Sequence, residues 1–329
     1  MTLSKRQSFL LLSAVSALLT LMLTLASTAY PLKALSTQTS AATEATGGVR
    51  VMNIFQAIVL GFVQGITEFL PISSTAHLKV VPVLLGWGDP GVAFTAVIQL
   101  GSIAAVLWYL WKDLRRLLKG AWRAVKLKDY DDFDFRLSLG IVLGTIPIVI
   151  FGLLIKIFIS DFDKSPMRYL SSIGIASIVM SILLAVAETI GSRQREYEKL
   201  TMLDGILVGV AQAMALVPGV SRSGATLTTG LFLGLERETA AKFSFLLSIP
   251  AITLAGLVEL KGAFASGIAG DQILSLFAGT LSAAIFSYLA ITALLRFLRT
   301  QTTLIFIIYR LIFGVAILAA IGGGLLRNI

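Results

Sequence analysis

The sequence predicts an all-α integral membrane protein, and two observations support that prediction. Hydrophobic residues make up 56% of the 329-residue chain and charged residues only 14%, whereas about a quarter of the residues in an average soluble domain are charged. The apolar segments also run to about 20 residues, the length at which an α-helix crosses the hydrocarbon core. Membrane-spanning β-strands would instead alternate apolar and polar residues over about 10 positions.

The first 51 residues precede the predicted membrane domain. Basic residues, an apolar run and small residues follow one another over 1–29, the layout of a secretory signal peptide or of an N-terminal membrane anchor. Residues 30–51 are mostly small and polar, which is typical of a flexible linker. We therefore predict a polytopic domain over 52–329.

Ten apolar segments follow within that domain. Six are long enough to span a membrane, and these are 92–111, 137–159, 170–190, 243–260, 272–295 and 304–325. The other four are short and form two pairs, each broken at a proline, and these are 54–70 with 74–86 and 203–217 with 224–235. Short paired segments around a polar break predict re-entrant helical hairpins, which dip into the membrane and return to the same side.

Loop charge predicts the orientation. With the chain outside after its N-terminal segment, most Lys and Arg of the loops fall on the cytoplasmic side, chiefly in 112–136. That stretch is expected to be a loop, and its acidic run from Asp129 to Asp134 is expected to be solvated. The two hairpins then enter from opposite sides, so 52–190 and 203–329 form an inverted repeat whose broken helices meet near the midplane. The alternative is that both halves look alike merely because they are rich in Leu, Ala and Gly.

Composition excludes several kinds of site. The chain has no cysteine, so disulfides, thiolate nucleophiles and cysteine-ligated metals are excluded. His77 is the only histidine, which excludes a His-rich metal site. Net charge +9 does not indicate nucleic acid, because the Lys and Arg lie in short loops between apolar segments. The expected environment is the lipid bilayer, with no nucleic-acid partner.

A first polar patch begins in segment 54–70. Gln64 and Glu68 are four residues apart and therefore share one helix face. A carboxylate at membrane depth costs several kcal/mol unless it faces a partner, water or a ligand, so Glu68 is a candidate functional residue. Gly61 and Gly65 form a stripe of small residues, which predicts close packing of this helix on another.

Hydroxyl groups and the histidine follow the break at Pro71. Ser73 or Ser74 is placed to cap the next helix, and His77 lies one turn further, within reach of either serine. Hydroxyl, imidazole and carboxylate together suit an activated nucleophile. The structural alternative is that the serines only cap the helix, Glu68 only accepts a hydrogen bond, and His77 only packs.

A second polar patch predicts an anion site. Its members are Gly219, Ser221, Arg222, Ser223 and Thr226, directly after Pro218. Glycine-rich backbone at a helix start presents free N–H groups, and a guanidinium matches phosphate oxygens. Carboxylates also fit such a site. With the first patch, the residues suggest a phosphate ester or anhydride, with Mg²⁺ or Ca²⁺ on Glu68 and its shell completed by phosphate oxygens and water. Arg310, in the last span, could join the site or pair with Glu188 or Glu259.

The two patches together resemble the undecaprenyl-diphosphatase family, also called the bacitracin-resistance phosphatases. The resemblance rests on Gln64-x-x-x-Glu68 followed by Phe-Leu-Pro-Ile-Ser-Ser-Thr-Ala-His, and on Pro218-Gly-Val-Ser-Arg-Ser-Gly-Ala-Thr226. It covers about 52–329 and implies an inverted repeat with two re-entrant hairpins. It also implies removal of one phosphate from undecaprenyl diphosphate with a divalent cation, which recycles the carrier lipid of peptidoglycan synthesis and confers bacitracin resistance.

The resemblance also implies roles for individual residues. The implied catalytic residues are Glu68, Ser74, His77 and Arg222, with Glu68 as the metal ligand. The implied substrate-binding residues are Gln64, Ser73, Gly219, Ser221, Arg222, Ser223 and Thr226. Ser74 corresponds to the nucleophile and His77 to the essential histidine of the family, although either could attack phosphorus. A phosphatase of the acid-phosphatase type needs two histidines and is excluded, since His77 stands alone.

Location, assembly and one rival function complete the predictions. We expect a multi-pass protein of the bacterial plasma (inner) membrane, with the active site toward the outer face and with undecaprenyl diphosphate as the lipid substrate. A homodimer is left open. The rival is a transporter that flips a polyprenyl phosphate, because inverted repeats and broken helices also characterise transporters. The nucleophile-and-base set of Ser74, His77 and Glu68 distinguishes the two, since translocation does not need it.

Overall fold

The computed structural model describes residues 52–87, 90–159, 165–265 and 272–328. The predicted signal or anchor segment, 1–29, therefore lies outside the described residues. The described residues form eleven α-helices: α1 (Ile54–Phe69), α2 (Ser74–Leu84), α3 (Val92–Tyr109), α4 (Trp111–Leu127), α5 (Phe133–Phe158), α6 (Leu170–Ile190), α7 (Met202–Ala213), α8 (Arg222–Phe232), α9 (Arg237–Ala265), α10 (Ile273–Leu298) and α11 (Leu304–Gly322). Short 3₁₀ turns join some of them, at Pro166–Arg168, Tyr197–Lys199 and Met214–Leu216.

The long helices confirm a membrane protein with several spans. Five of them, α5, α6, α9, α10 and α11, are long and apolar enough to cross a bilayer. Helix α3 passes the same criterion only together with α4, from which it is bent by 67°. The described helices therefore supply five spans, or six with the bent pair, where the sequence predicts six.

The short helices also lie where the sequence predicts them. Helices α1 and α2 are separated by a break of four residues around Pro71, and α7 and α8 by a longer break around Pro218. Ser73 precedes α2 with φ 74°, and Ser221 precedes α8 with φ 71°. Non-glycine residues rarely adopt this left-handed region, and such strain is typical of functional sites. The two breaks therefore share one unusual backbone feature at matching positions.

Small residues let the short helices pack closely on the long ones. Helix α1 packs on α10, where a Cβ on Gly65 would lie 2.7 Å from the carbonyl oxygen of Ala283. Helix α7 packs on α5 in the same way, where a Cβ on Gly209 would overlap the backbone of Gly144. The predicted small-residue stripe of Gly61 and Gly65 is thus confirmed. Helices α3 and α9 pack together, as do α6 and α11.

The prediction of a loop over 112–136 is wrong, because most of that stretch is helix α4. Its many charged residues lower the mean hydropathy of the stretch, although one face, with Leu117, Gly120 and Ala124, packs on α5. The acidic run is not simply solvated either: Arg123 lies 3.0 Å from Asp132, and Arg116 lies 3.1 Å from Asp134. The Phe135 N–H bonded to Asp132 holds the pKa of that carboxyl below its usual value, and Arg123 acts in the same direction. Asp132 therefore caps α5 and ties α4 to it.

Candidate active site

The two helix breaks meet in the interior of the protein. Ser223, in the first turn of α8, donates a hydrogen bond to the carbonyl oxygen of Leu70 in the first break, at 2.8 Å. Arg310 of α11 is only 1% exposed and donates to both breaks, to the carbonyl of Pro71 at 2.9 Å and to that of Gly219 at 2.8 Å. These bonds connect residues more than 90 positions apart and fix the two breaks against each other.

Local sequence explains where the functional side chains fall. Pro71 disfavours a helical conformation for the residue before it, so α1 ends at Phe69 and Leu70 is extended, with ψ 144°. Glu68 consequently lies in the last turn of α1, and Ser74 is the first residue of α2. Arg222 is likewise the first residue of α8, after Ser221, whose hydroxyl accepts from the Gly224 N–H at 3.1 Å.

The carboxylate of Glu68 is the centre of the site. Its Oε2 accepts from the Ser74 hydroxyl at 2.6 Å and from the Gln64 amide at 3.1 Å. Its Oε1 accepts from Arg222 Nη2 at 2.9 Å. The ion pair is buried, since the side chains of Glu68 and Arg222 are 6% and 12% exposed. The structure thus brings an ionisable acceptor, a hydroxyl and a guanidinium into one contact group.

A cavity of about 250 Å³ lies over this group. Seven predicted site residues line it, and they are Gln64, Glu68, Ser73, Ser74, Gly219, Ser221 and Arg222. Two basic residues that the sequence reasoning did not place at the site, Lys79 and Arg168, line it as well, and Lys79 donates to the Arg168 carbonyl at 2.7 Å. The lining therefore combines hydroxyl groups and basic side chains with the Glu68 carboxylate.

Three predicted site residues lie outside the cavity lining. Thr226 is fully buried and donates to the Arg222 carbonyl at 2.8 Å. Ser223 bonds to Leu70, as described above. Both hydroxyls thus hold the start of α8 in place and are not directed at a ligand. His77 is the third.

His77 has both ring nitrogens engaged away from Glu68 and Ser74. Its Nδ1 lies 2.7 Å from the carbonyl oxygen of Ser73, and its Nε2 lies 2.6 Å from the hydroxyl of Tyr309. Its ring stacks on Phe313, with centroids 4.5 Å apart. A neutral imidazole satisfies both bonds by donating from Nδ1 and accepting at Nε2. His77 thus contacts Ser73, as the sequence predicts, but it does so through the Ser73 backbone carbonyl and not through the hydroxyl. Ser73 is also the residue with the unusual positive φ.

The donors present at the site determine how a divalent cation could bind there. Within the described ranges, no cluster of three His, Asp or Glu side chains is present. Glu68 is the carboxylate of the cavity lining. An ionised carboxylate has about four lone-pair positions, and three donors occupy part of them. Glu68 can therefore offer a cation one position, and ligand oxygens would have to supply most of its shell.

Comparison with known proteins identifies the family. A family model described as "Bacitracin resistance protein BacA" matches residues 57–316. The chain belongs to this family. The undecaprenyl-diphosphatase of Trichormus variabilis is 67% identical over 328 residues, which cover 100% of both chains. The undecaprenyl-diphosphatase of Synechocystis sp. is 63% identical over 273 residues, 83% of this chain and 84% of the relative. That of Gloeobacter violaceus is 56% identical over 278 residues, 84% and 95% of the two chains.

Sequence reasoning missed how α11 supports the site of this BacA family member. Of the alternatives for Arg310, joining the site agrees with its bonds to the Pro71 and Gly219 carbonyls. Pairing with Glu188 is wrong, because Glu188 accepts from Arg237 and from Thr303. The side chain of Glu259 lies outside the described residues. Arg310 instead binds backbone carbonyls of both breaks. The signal was a lone arginine beside a tyrosine within an apolar span, but nothing local indicates which carbonyls it would reach.

Proposed function

We propose that this protein hydrolyses undecaprenyl diphosphate to undecaprenyl phosphate and inorganic phosphate, and so recycles the carrier lipid of peptidoglycan synthesis. The observation that supports it most directly is the contact group of Glu68, Ser74 and Arg222 beneath a polar cavity in an apolar, helical protein. Relatives that match most of the chain bear the name undecaprenyl-diphosphatase, and membership of a bacitracin resistance family agrees with this activity.

Arg222 is the main diphosphate-binding residue in this proposal. One guanidinium N–H bonds to Glu68, and the remaining donors of the planar fork match phosphate oxygens. Lys79 and Arg168 line the same cavity and add positive potential for an anion. Ser73, Ser221 and Gly219 line it beside Arg222. The isoprenoid tail lies between spans and remains in contact with lipid.

Ser74 is the nucleophile, and Glu68 is the group that removes its proton. The hydroxyl lies 2.6 Å from Glu68 Oε2, within the range for direct proton transfer. The Ser74 Oγ–P bond forms at the terminal phosphorus while the bond from that phosphorus to the bridging oxygen breaks, and undecaprenyl phosphate leaves. Water then cleaves the phosphoserine and releases inorganic phosphate, and the serine recovers a proton.

A divalent cation, Mg²⁺ or Ca²⁺, would be held by Glu68 and by oxygens of the diphosphate. When bound, such an ion neutralises charge that develops on the transferring phosphoryl group. Arg222 stabilises the same charge from a fixed position, because Glu68 and the start of α8 hold its guanidinium.

His77 is a positioning residue in this scheme. Its Nδ1 bonds to the Ser73 carbonyl, directly before the nucleophile, and Tyr309 fixes the other nitrogen. Holding Ser73 in its left-handed conformation aims the Ser74 hydroxyl at Glu68. Because His77 does not line the cavity, attack by its imidazole on the substrate would require the ring to leave both hydrogen bonds.

The architecture we propose is an inverted repeat with two re-entrant hairpins, α1–α2 and α7–α8, in the bacterial plasma membrane with the cavity open toward the outer face. The pairing of helices supports it. Helix α1 of the first half packs on α10 of the second, and the equivalent helix α7 packs on α5 of the first half. Helix α3 packs on its own equivalent, α9, and α6 packs on its own equivalent, α11. A pseudo-two-fold axis that exchanges the two halves produces this pattern. The matching φ angles of Ser73 and Ser221 agree with it.

The test is release of inorganic phosphate from a long-chain prenyl diphosphate by the purified full chain, with and without a chelator. Ser74→Ala should remove activity, whereas Thr75→Ala should retain most of it, since Thr75 lines the cavity without a bond to Glu68. Chelation should stop the reaction, and added Mg²⁺ or Ca²⁺ should restore it. Transfer of a prenyl phosphate across proteoliposomes without any hydrolysis would instead support the transporter.

A further inference from the structure

Helix α4 (Trp111–Leu127) presents three distinct faces. One face is buried on the protein and contains Leu117, Gly120 and Ala124. Gly120 allows a close approach, because a Cβ there would meet the side chain of Asp134 at the start of α5. The other two faces have no function in the proposed catalysis, since no residue of α4 lines the cavity.

The second face is an exposed apolar stripe. Trp111, Leu118, Trp122 and Val125 are 60%, 68%, 75% and 52% exposed. At 100° per residue, these four positions fall within about 60° of one another around the helix. Trp108, at the end of α3, is also 76% exposed. Exposed tryptophans at the end of a membrane-spanning helix are typical of the boundary between lipid headgroups and hydrocarbon.

The third face is basic and lies beside the stripe. Its members are Lys112, Arg115, Arg116, Lys119, Arg123 and Lys126. Arg116 and Arg123 pair with Asp134 and Asp132. Among the described residues, Lys112, Arg115, Lys119 and Lys126 form no ion pair, and all four are exposed. The helix therefore carries unneutralised positive charge along one edge of its apolar stripe.

Position and charge together select the partner for these two faces. The axis of α4 bends by 67° from the axis of α3, so α4 leaves the direction of the preceding span. Apolar residues beside a row of basic residues characterise helices that lie in the membrane interface. A second copy of the chain is a poor partner, because two α4 helices packed through their stripes would place like charges together.

We propose that α4 is an interfacial helix that binds anionic phospholipid headgroups, with Trp111, Leu118, Trp122 and Val125 inserted below them. The four unpaired basic residues select acidic lipids over zwitterionic ones at this position. Each Lys or Arg near an anionic surface contributes about 1 kcal/mol, which corresponds to about a fivefold preference. The site is separate from the catalytic cavity and holds membrane lipid, not substrate.

Tryptophan quenching by brominated lipids tests the proposal. The chain contains four tryptophans, so Trp87→Phe/Trp108→Phe leaves Trp111 and Trp122 as the reporters on α4. The full-length variant is reconstituted in zwitterionic bilayers with a small amount of brominated phosphatidylglycerol or brominated phosphatidylcholine. We expect quenching by both, with a phosphatidylglycerol preference of about fivefold, the contribution of one basic residue that binds one singly charged headgroup. About 1 M salt should abolish the preference, since the Debye length is then about 3 Å.

Matched variants separate charge from insertion. Lys119→Gln/Lys126→Gln should lower the ratio of phosphatidylglycerol quenching to phosphatidylcholine quenching toward one. Quenching by phosphatidylcholine itself should remain unchanged. Arg296→Gln/Arg299→Gln removes the same charge from the end of α10 and should change nothing. Absence of quenching by either lipid, with the variant still folded by thermal unfolding, would overturn the proposal. So would equal quenching by both lipids in low salt, or protection of the tryptophans that rises with protein concentration, which would indicate a second copy.

Discussion

Glu68→Gln is the substitution whose consequences the structure defines most closely. The carboxylate uses Oε2 for Ser74 and Gln64 and Oε1 for Arg222. A glutamine keeps the shape of the side chain but has only one acceptor oxygen. Its NH₂ group would take the place of the other oxygen and would face a hydrogen-bond donor there. Either Arg222 or the Ser74–Gln64 pair therefore loses its acceptor, and no group remains to take the Ser74 proton.

Two magnitudes follow from those contacts. Removing a positioned base lowers a rate by about 10²–10⁴, which is about 3–5 kcal/mol of barrier at about 1.36 kcal/mol per tenfold. Leaving the buried Arg222 without its counterion costs about 3–5 kcal/mol of stability. We expect kcat for phosphate release to fall at least a hundredfold and the temperature of thermal unfolding to fall as well. KM should change little, because the guanidinium remains to bind the diphosphate.

Glu238→Gln is the matched control. Glu238 pairs with Arg299 at 2.8 Å on the surface, where the side chains are 31% and 65% exposed. Such pairs contribute at most about 1 kcal/mol, so both kcat and unfolding should remain near those of the unmodified protein. If Glu68→Gln retained kcat within a factor of a few, Glu68 would not be the proton acceptor and the proposed chemistry would be wrong.

Three further substitutions test the framework around the site. Arg310→Lys should lower the unfolding temperature, because it removes at least one charge-assisted bond to a break, at about 1.5–3 kcal/mol each; an unchanged temperature would argue against its structural role. Tyr309→Phe should lower kcat by about tenfold or less, as with other single neutral hydrogen bonds, since stacking on His77 persists; an effect as large as that of Ser74→Ala would place Tyr309 in the chemistry. Gly61→Ala should destabilise by about 1–3 kcal/mol through overlap with the Gly279 carbonyl, whereas Gly322→Ala, which meets nothing within 4 Å, should not.

Most of the helices could be predicted from the sequence, because lipid imposes a strong length rule on them. The segment 170–190 coincides with α6, and the breaks at Pro71 and Pro218 lie where the prolines indicate. Helix α4 was missed because hydropathy cannot detect a helix with so many charges. Its signal is the spacing of Trp111, Leu118 and Trp122, which a test for helical period would have found.

The sequence indicated seven of the residues that line the cavity, but not all of their contacts. An unpaired Glu68 and Arg222 are each costly at membrane depth, which is why the sequence indicates that they meet, and they do so at 2.9 Å. The partners of His77 were not predictable, because Tyr309 lies 232 residues away and a hydroxyl in an apolar span carries no directional signal. Local spacing placed His77 near the serines, but packing against α11 turned its ring away from Ser74.

Trapping of the phosphorylated enzyme tests the central claim most directly. Substrate labelled in its terminal phosphate is mixed with the purified protein, the reaction is quenched in the first turnover, and the labelled peptide is identified by mass spectrometry. The proposed chemistry predicts label on Ser74, and none in Ser74→Ala. Label on His77, or turnover in Ser74→Ala at the unmodified rate, would contradict it.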